Sequence, residues 1–157
     1  MHQDKAPSEH INVLAIASRG NCWVELQNIV AAFEDAQIFF ARSSASHERI
    51  KADTSITHVD NFTLYTMWKM PRTLVQVIML LWKTKPKRVV STGGAPGVLA
   101  IILGRIMGAH CIWVDSLYNS QEISLSGKIA GLFAQTWLTQ WEHLSQENGP
   151  LYKGALL

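Results

Sequence analysis

The feature that most constrains this chain is a short apolar run that breaks directly into glycine. Arg88-Val89-Val90-Ser91 has the length and β-branched content of a strand, and Thr92-Gly93-Gly94-Ala95-Pro96-Gly97 follows without a linker. A helix is expected from about Val98 to Met107, with Gly108 as its stop. Ala109 to Val114 then reads as another strand. Strand, tight turn, helix, strand is the repeating unit of a parallel α/β sheet. The N-terminal part carries the same unit. Ile11 to Ala17 reads as a buried strand and Ser18-Arg19-Gly20-Asn21 as a turn. Trp23, Leu26, Ile29, Val30 and Phe33 give helical spacing, and Gln37 to Ala41 is the next strand. With right-handed crossovers, the expected fold is a Rossmann-like parallel sheet with helices on both faces.

Elsewhere the pattern is less regular. Arg42 to Asn61 reads as mostly loop, with a short strand near Ile56 to Val59. Met70 to Lys85 is a second helix, with Pro71 in its first turn and Pro86 barring its continuation. A short helix around Leu125 to Ala130, a strand near Ala134 to Thr139 and a tail complete the chain. The 157 residues suit a single domain, 1–157, with the polar residues 1–10 as a tail rather than a signal peptide.

Composition narrows the function classes. Apolar residues make up 48% of the chain and charged residues only 17%, against about 25% charged in an average domain. Some apolar surface is therefore expected to meet a partner or a membrane. A net charge of +2 does not suit a general nucleic-acid binder. Cys22 and Cys111 are too few for a disulfide framework and read as reduced structural thiols. The six histidines show no metal-ligand spacing, so no metal is expected. Neither G-x-G-x-x-G nor a Gly-Lys-Ser/Thr ending occurs, and the strand after the first helix ends at Ala41-Arg42 without a carboxylate for a ribose. No nucleotide cofactor is expected. No apolar stretch approaches the roughly 18 residues of a spanning helix. A cytoplasmic location is expected, with peripheral attachment to the cytoplasmic face of the inner membrane left open.

Three groups of residues carry candidate chemistry. The two glycine turns, through Gly20, Asn21, Gly93, Gly94, Ala95 and Gly97, would offer backbone N–H groups and helix starts to an anion such as phosphate. The same glycines serve equally well as plain structural turns. Asp115, closing its strand beside Ser116, could take a proton, bind a sugar hydroxyl or cap a turn. The helix 71–85 is apolar nearly all round and flanked by cations. Lys69, Arg72, Trp82, Lys83 and Lys85 are a candidate membrane surface, unless the helix is simply buried.

Taken together, several pieces resemble one family. They are Ser91 to Gly97, Trp113-Val114-Asp115-Ser116 with Asn119, Leu125-Ser126-Gly127-Lys128, Leu138-Thr139-Gln140-Trp141 and Tyr152-Lys153-Gly154. In this combination they look like the acceptor-binding, membrane-anchor subunit of two-piece UDP-GlcNAc transferases. That family acts in lipid-linked oligosaccharide synthesis and, in bacteria, in exopolysaccharide and lipopolysaccharide assembly. The resemblance implies the N-terminal half of a GT-B glycosyltransferase. It implies a donor-binding subunit as partner and a polyprenyl-pyrophosphate-linked sugar held on the glycine turns. Ser116, Asn119, Ser126, Gln140 and Trp141 would contact acceptor or partner. One departure bears on catalysis. The family's first turn reads Gly-Gly-His before Trp, whereas this chain has Gly20-Asn21-Cys22 before Trp23. A neutral thiol is a poor base at physiological pH, and Asp115 could take over that role. The alternative is a non-catalytic anchor or assembly factor that keeps only the fold. The family's N-terminal membrane helix is also not expected here.

Overall fold

The computed structural model describes residues 11–33, 35–43 and 56–155. The expected tail, 1–10, and most of the expected polar loop, 44–55, lie outside the described residues. Seven strands among the described residues form one parallel sheet: β1 (Ile11–Ala17), β2 (Ala36–Ser43), β3 (Ile56–Val59), β4 (Arg88–Ser91), β5 (His110–Val114), β6 (Thr136–Thr139) and β7 (Leu151–Tyr152). Their order is β3-β2-β1-β4-β5-β6-β7. β1 pairs with β2 on one side and β4 on the other, with Ala15 opposite both Phe40 and Val90. Val13 to Ala17 are fully buried, as a strand covered on both faces and both edges must be.

Among the described residues four α-helices connect the strands: α1 (Asn21–Val30), α2 (Met70–Thr84), α3 (Ala95–Ile106) and α4 (Leu125–Gly131). α1 packs on one face, where Trp23, Leu26 and Val30 meet Val13, Ala15, Ala17 and Val90. The residues of α2, α3 and α4 meet the opposite face, through Val77, Leu80, Leu81, Leu99, Ile101 and Ala130. Burying each of the larger aliphatic side chains contributes about 1.5–3 kcal/mol, and this second, larger cluster holds most of the helices in place.

The helix ends differ from expectation in ways the backbone explains. α3 begins at Ala95 rather than near Val98, because Gly94 takes φ +88° and Pro96 fits the first turn. α2 stops at Thr84, where Lys85 adopts a left-handed conformation and its N–H bonds the Leu81 carbonyl. The tail contains a strand, β7, that its composition did not announce.

The order of strands reverses at β1. β2 lies to one side and β4 to the other, so the turns after β1 and β4 flank a crevice at the carboxyl edge of the sheet, the usual ligand position in such folds.

Candidate functional site

The two glycine turns are laced together. The Ser18 N–H donates to the Gly93 carbonyl at 3.1 Å, and the Thr92 hydroxyl donates to the Cys22 carbonyl at 2.6 Å. α1 and α3 therefore start side by side. Each is preceded by a glycine at positive φ, neither has a side-chain cap, and neither has an acidic residue in its first turn. α4 differs: the Ser124 hydroxyl accepts the Gly127 N–H. Uncapped helix starts leave N–H groups and positive dipole ends directed at the crevice, which favours an anion there.

The six turn residues are not equivalent. Gly20 and Asn21 are exposed, and a side chain at Gly20 would meet nothing within 4 Å. A Cβ at Gly93 would lie 2.7 Å from the Cys22 sulfur, and one at Gly94 would lie 2.6 Å from the Ser18 Cβ. Gly97 is buried inside α3, and a side chain there would strike the Ser91 hydroxyl. Its geometry is that of helix-on-strand packing, so the crevice-lining group narrows to Gly20, Asn21, Gly94 and Ala95, with Gly93 joining the turns.

Beyond Gly94 the crevice continues as an apolar groove of about 460 Å³. Phe62, Leu64, Met67, Val98, Leu125 and Ile129 line much of it, and Ser126 sits on its wall beside Gly94 and Ala95. A short 3-10 helix, Leu64–Lys69, forms the rim. Its Leu64, Tyr65 and Trp68 are 75%, 96% and 76% exposed. Such a run of unburied aromatic and aliphatic surface is unusual for a solvent-facing turn. The candidate membrane surface expected from the sequence lies on α2 instead. α2 buries Thr73, Val77, Leu80, Leu81 and Thr84 and exposes Val75, Met79 and Trp82, so it is neither wholly buried nor wholly lipid-facing. Lys69 and Arg72 stand at the crevice end of α2, Lys69 over the Trp68 ring and Arg72 paired with Asp60 at 2.8 Å. Trp82, Lys83 and Lys85 stand at the other end, about 20 Å away at 1.5 Å per residue. The five cationic and aromatic residues thus do not form one patch.

Asp115, Ser116, Asn119, Gln140 and Trp141 come together as one hydrogen-bonded cluster. Asp115 is buried, its Oδ2 accepting from the Ser124 N–H and its Oδ1 from the Ser124 hydroxyl and the Asn119 amide. These bonds fix the start of α4, and they leave Asp115 poorly placed to take a substrate proton. The Trp141 indole donates to the Leu117 carbonyl, and the Gln140 amide donates to the Asp115 carbonyl. The polar atoms of this group tie the β5 and β6 loops together.

At the centre of the cluster is a residue the sequence reading missed. Glu25, on α1 and only 6% exposed, accepts from the Ser116 hydroxyl at 2.9 Å, the Leu117 N–H at 3.3 Å and the Gln140 amide at 3.2 Å. Burial pushes its carboxyl above the usual range. These hydrogen bonds pull the other way, and the Asp115 charge adds to the rise. The available signal was a lone acid beside the inward stripe of an apolar helix, three residues after Cys22. Cys22 itself lies between the turns. Burial and the Glu25 charge raise its thiol, while the Ser18 and Ser116 hydroxyls lower it, with a net rise. It stays neutral at physiological pH. Cys111 is a core thiol, pushed up to about 11 by burial. Among the described residues no cluster of three His, Cys, Asp or Glu side chains could hold a metal ion, and no helix is long and apolar enough to cross a membrane.

This architecture is that of one Rossmann-like half of a GT-B fold. MurG of Acinetobacter baumannii superimposes with a TM-score of 0.72 at 10% identity, over 90% of this chain and 45% of that one. The UDP-N-acetylglucosamine 2-epimerase of Rickettsia bellii superimposes with a TM-score of 0.68 at 13% identity, over 94% of this chain and 46% of that one. The corresponding epimerase of Methanocaldococcus jannaschii gives 0.62 at 11% identity, over 88% and 40%. The chain spans less than half the length of these structural relatives. No curated protein matches it by sequence. The family model of the oligosaccharide biosynthesis protein Alg14 and its like matches residues 27–156. The chain belongs to that Alg14-like family, the one its motifs resemble.

Proposed function

We propose that this chain is the acceptor-binding subunit of a UDP-GlcNAc-type glycosyltransferase in lipid-linked oligosaccharide or bacterial polysaccharide biosynthesis. It holds a polyprenyl-pyrophosphate-linked sugar and recruits a separate donor-binding subunit. The observation that carries this reading is the continuity of two unlike surfaces: the uncapped helix start at Gly94, suited to a pyrophosphate and tied through Ser18 to the one at Gly20, opens directly onto the apolar groove lined by Phe62, Met67 and Ile129. A ligand that is anionic at one end and hydrocarbon at the other fits both. The exposed Leu64, Tyr65 and Trp68 on the groove's rim, beside Lys69, suit a peripheral seat on an anionic membrane. The reaction in the assembled enzyme is direct displacement of UDP by an acceptor hydroxyl, with backbone N–H groups holding the pyrophosphate.

The test is calorimetric titration with a short-chain polyprenyl-pyrophosphate-GlcNAc, run beside UDP-GlcNAc. Binding of the lipid analogue without UDP-GlcNAc binding is expected. Binding of UDP-GlcNAc by this chain alone contradicts the division of labour.

Cys22 favours a second reading, a non-catalytic anchor or assembly factor. The neutral thiol stands where the family's histidine is expected, and it is a weak base. Cys22→His separates the two. An increase in transfer by the assembled complex makes position 22 part of the chemistry, and indifference puts the base elsewhere.

A further inference from the structure

We propose that Glu25 is the proton acceptor of the crevice, reached through the Ser116 hydroxyl. This rests on the acceptor-subunit reading and adds a group to it. The carboxylate is held where three loops meet: the start of α1 after β1, the end of β5 and the end of β6. Ser116 donates to one of its oxygens and Gln140 to the other. Among the described residues, every hydrogen-bond donor it meets is neutral. A carboxylate buried without a cation costs stability that an apolar residue would not, and such a group behind the turns of a ligand crevice is a candidate for function.

The other candidates are worse placed. Asp115 has both carboxylate oxygens engaged in holding the α4 start, through Ser124 and Asn119. Cys22 is a neutral thiol. Ser116 touches both Glu25 and the surroundings of the Cys22 sulfur, so its hydroxyl connects the buried carboxylate to the point where the two glycine turns cross. The titratable groups facing Glu25 are Asp115 at the end of β5 and Cys22 on its own helix. The β6 loop presents only the neutral Gln140.

The step balances. The acceptor hydroxyl gives its proton to the Ser116 oxygen as the Ser116 proton passes to Glu25. The acceptor oxygen forms the new bond to the donor's anomeric carbon, and the bond to UDP breaks with its electron pair leaving on the phosphate. One proton leaves the acceptor and one arrives on Glu25. A carboxyl raised toward neutral pH is the better matched base for this transfer.

The experiment is a transfer assay on the complex with the donor-binding subunit, comparing wild type, Glu25→Gln, Glu25→Asp and Ser116→Ala. Glu122→Gln, an exposed carboxylate paired with Lys128, is the control. Glu25→Gln and Ser116→Ala are expected to lower kcat by about 10²–10⁴-fold, with the acceptor KM changed by less than about threefold. The acidic limb of the kcat–pH profile disappears in Glu25→Gln and moves in Glu25→Asp. A merely structural Glu25 would lower stability and acceptor affinity yet keep that limb, which overturns the proposal. Circular dichroism reports whether Glu25→Gln folds. If it does not, Glu25→Asp and Ser116→Ala decide by the same limb. A wild-type complex that binds acceptor but transfers nothing overturns this proposal and the transferase mechanism together. Failure of the wild-type chain to bind the acceptor overturns the subunit reading itself.

Discussion

The turn after β1 and the turn after β4 look alike in sequence, and they use glycine for different physical reasons. Gly20 has open space around it and takes φ +89°, so its requirement is conformational and its surface stays open to a ligand. Gly93, Gly94 and Gly97 are crowded by Cys22, Ser18 and Ser91 in turn, so theirs is largely close approach of backbone to neighbour. The first turn is built to be seen, the second to interlock. A Gly-Gly pair between strand and helix therefore does not by itself identify the residues that touch a ligand.

Substitutions sharpen this contrast. The largest effect is expected at Gly97→Val, where the new side chain meets the Ser91 hydroxyl and the Trp113 ring. Overpacking of this kind costs about 1–3 kcal/mol or more, and denaturant unfolding should show it. Gly94→Ala comes next. It combines a 2.6 Å contact with Ser18 and φ +88°, and it should lose about 1–3 kcal/mol along with acceptor binding. Gly20→Ala has the φ strain without the clash. A loss of about 1 kcal/mol with intact folding is expected, and acceptor titration should reveal weaker binding. Equal destabilisation by Gly20→Ala and Gly97→Val would erase the distinction.

The smallest effect concerns pH. The Glu25 carboxyl is raised in the folded state above its ordinary value of 4.5, so over that interval the native protein holds a proton that the unfolded chain releases. Stability is unaffected by Glu25 below the unfolded value, and falls as pH rises from there through the folded value. Thermal unfolding of Glu25→Gln should lack that fall. A wild type whose stability tracks Glu25→Gln across this window would show that the carboxyl is not raised.

Much of the fold was legible because it rests on local signals. The buried run Ile11–Ala17, the strand Arg88–Ser91 and the stop at Gly108 each carry their own chemistry of burial or backbone conformation. The site was less legible because its decisive contacts join distant positions. Glu25 meets Gln140 across 115 residues and Ser116 across 91, and no spacing rule connects them. The family motifs pointed to Ser116, Asn119, Ser126, Gln140 and Trp141 as a set; the structure gathers four of them into one cluster and puts Ser126 on the groove wall. They did not point to Glu25, to the groove, or to the exposed rim at Leu64 to Trp68. That rim hides in sequence because its apolar residues fall in a short 3-10 segment with neither helical nor strand periodicity.

The most direct test of the account is backbone amide NMR mapping of a short-chain polyprenyl-pyrophosphate-GlcNAc onto the chain. Shifts are predicted at Gly20 to Cys22 and at Gly94 and Ala95 for the pyrophosphate, and along Phe62 to Met70 and Leu125 to Ile129 for the hydrocarbon. Shifts confined to the β6 and β7 edge, or shifts equally produced by UDP-GlcNAc, would contradict it.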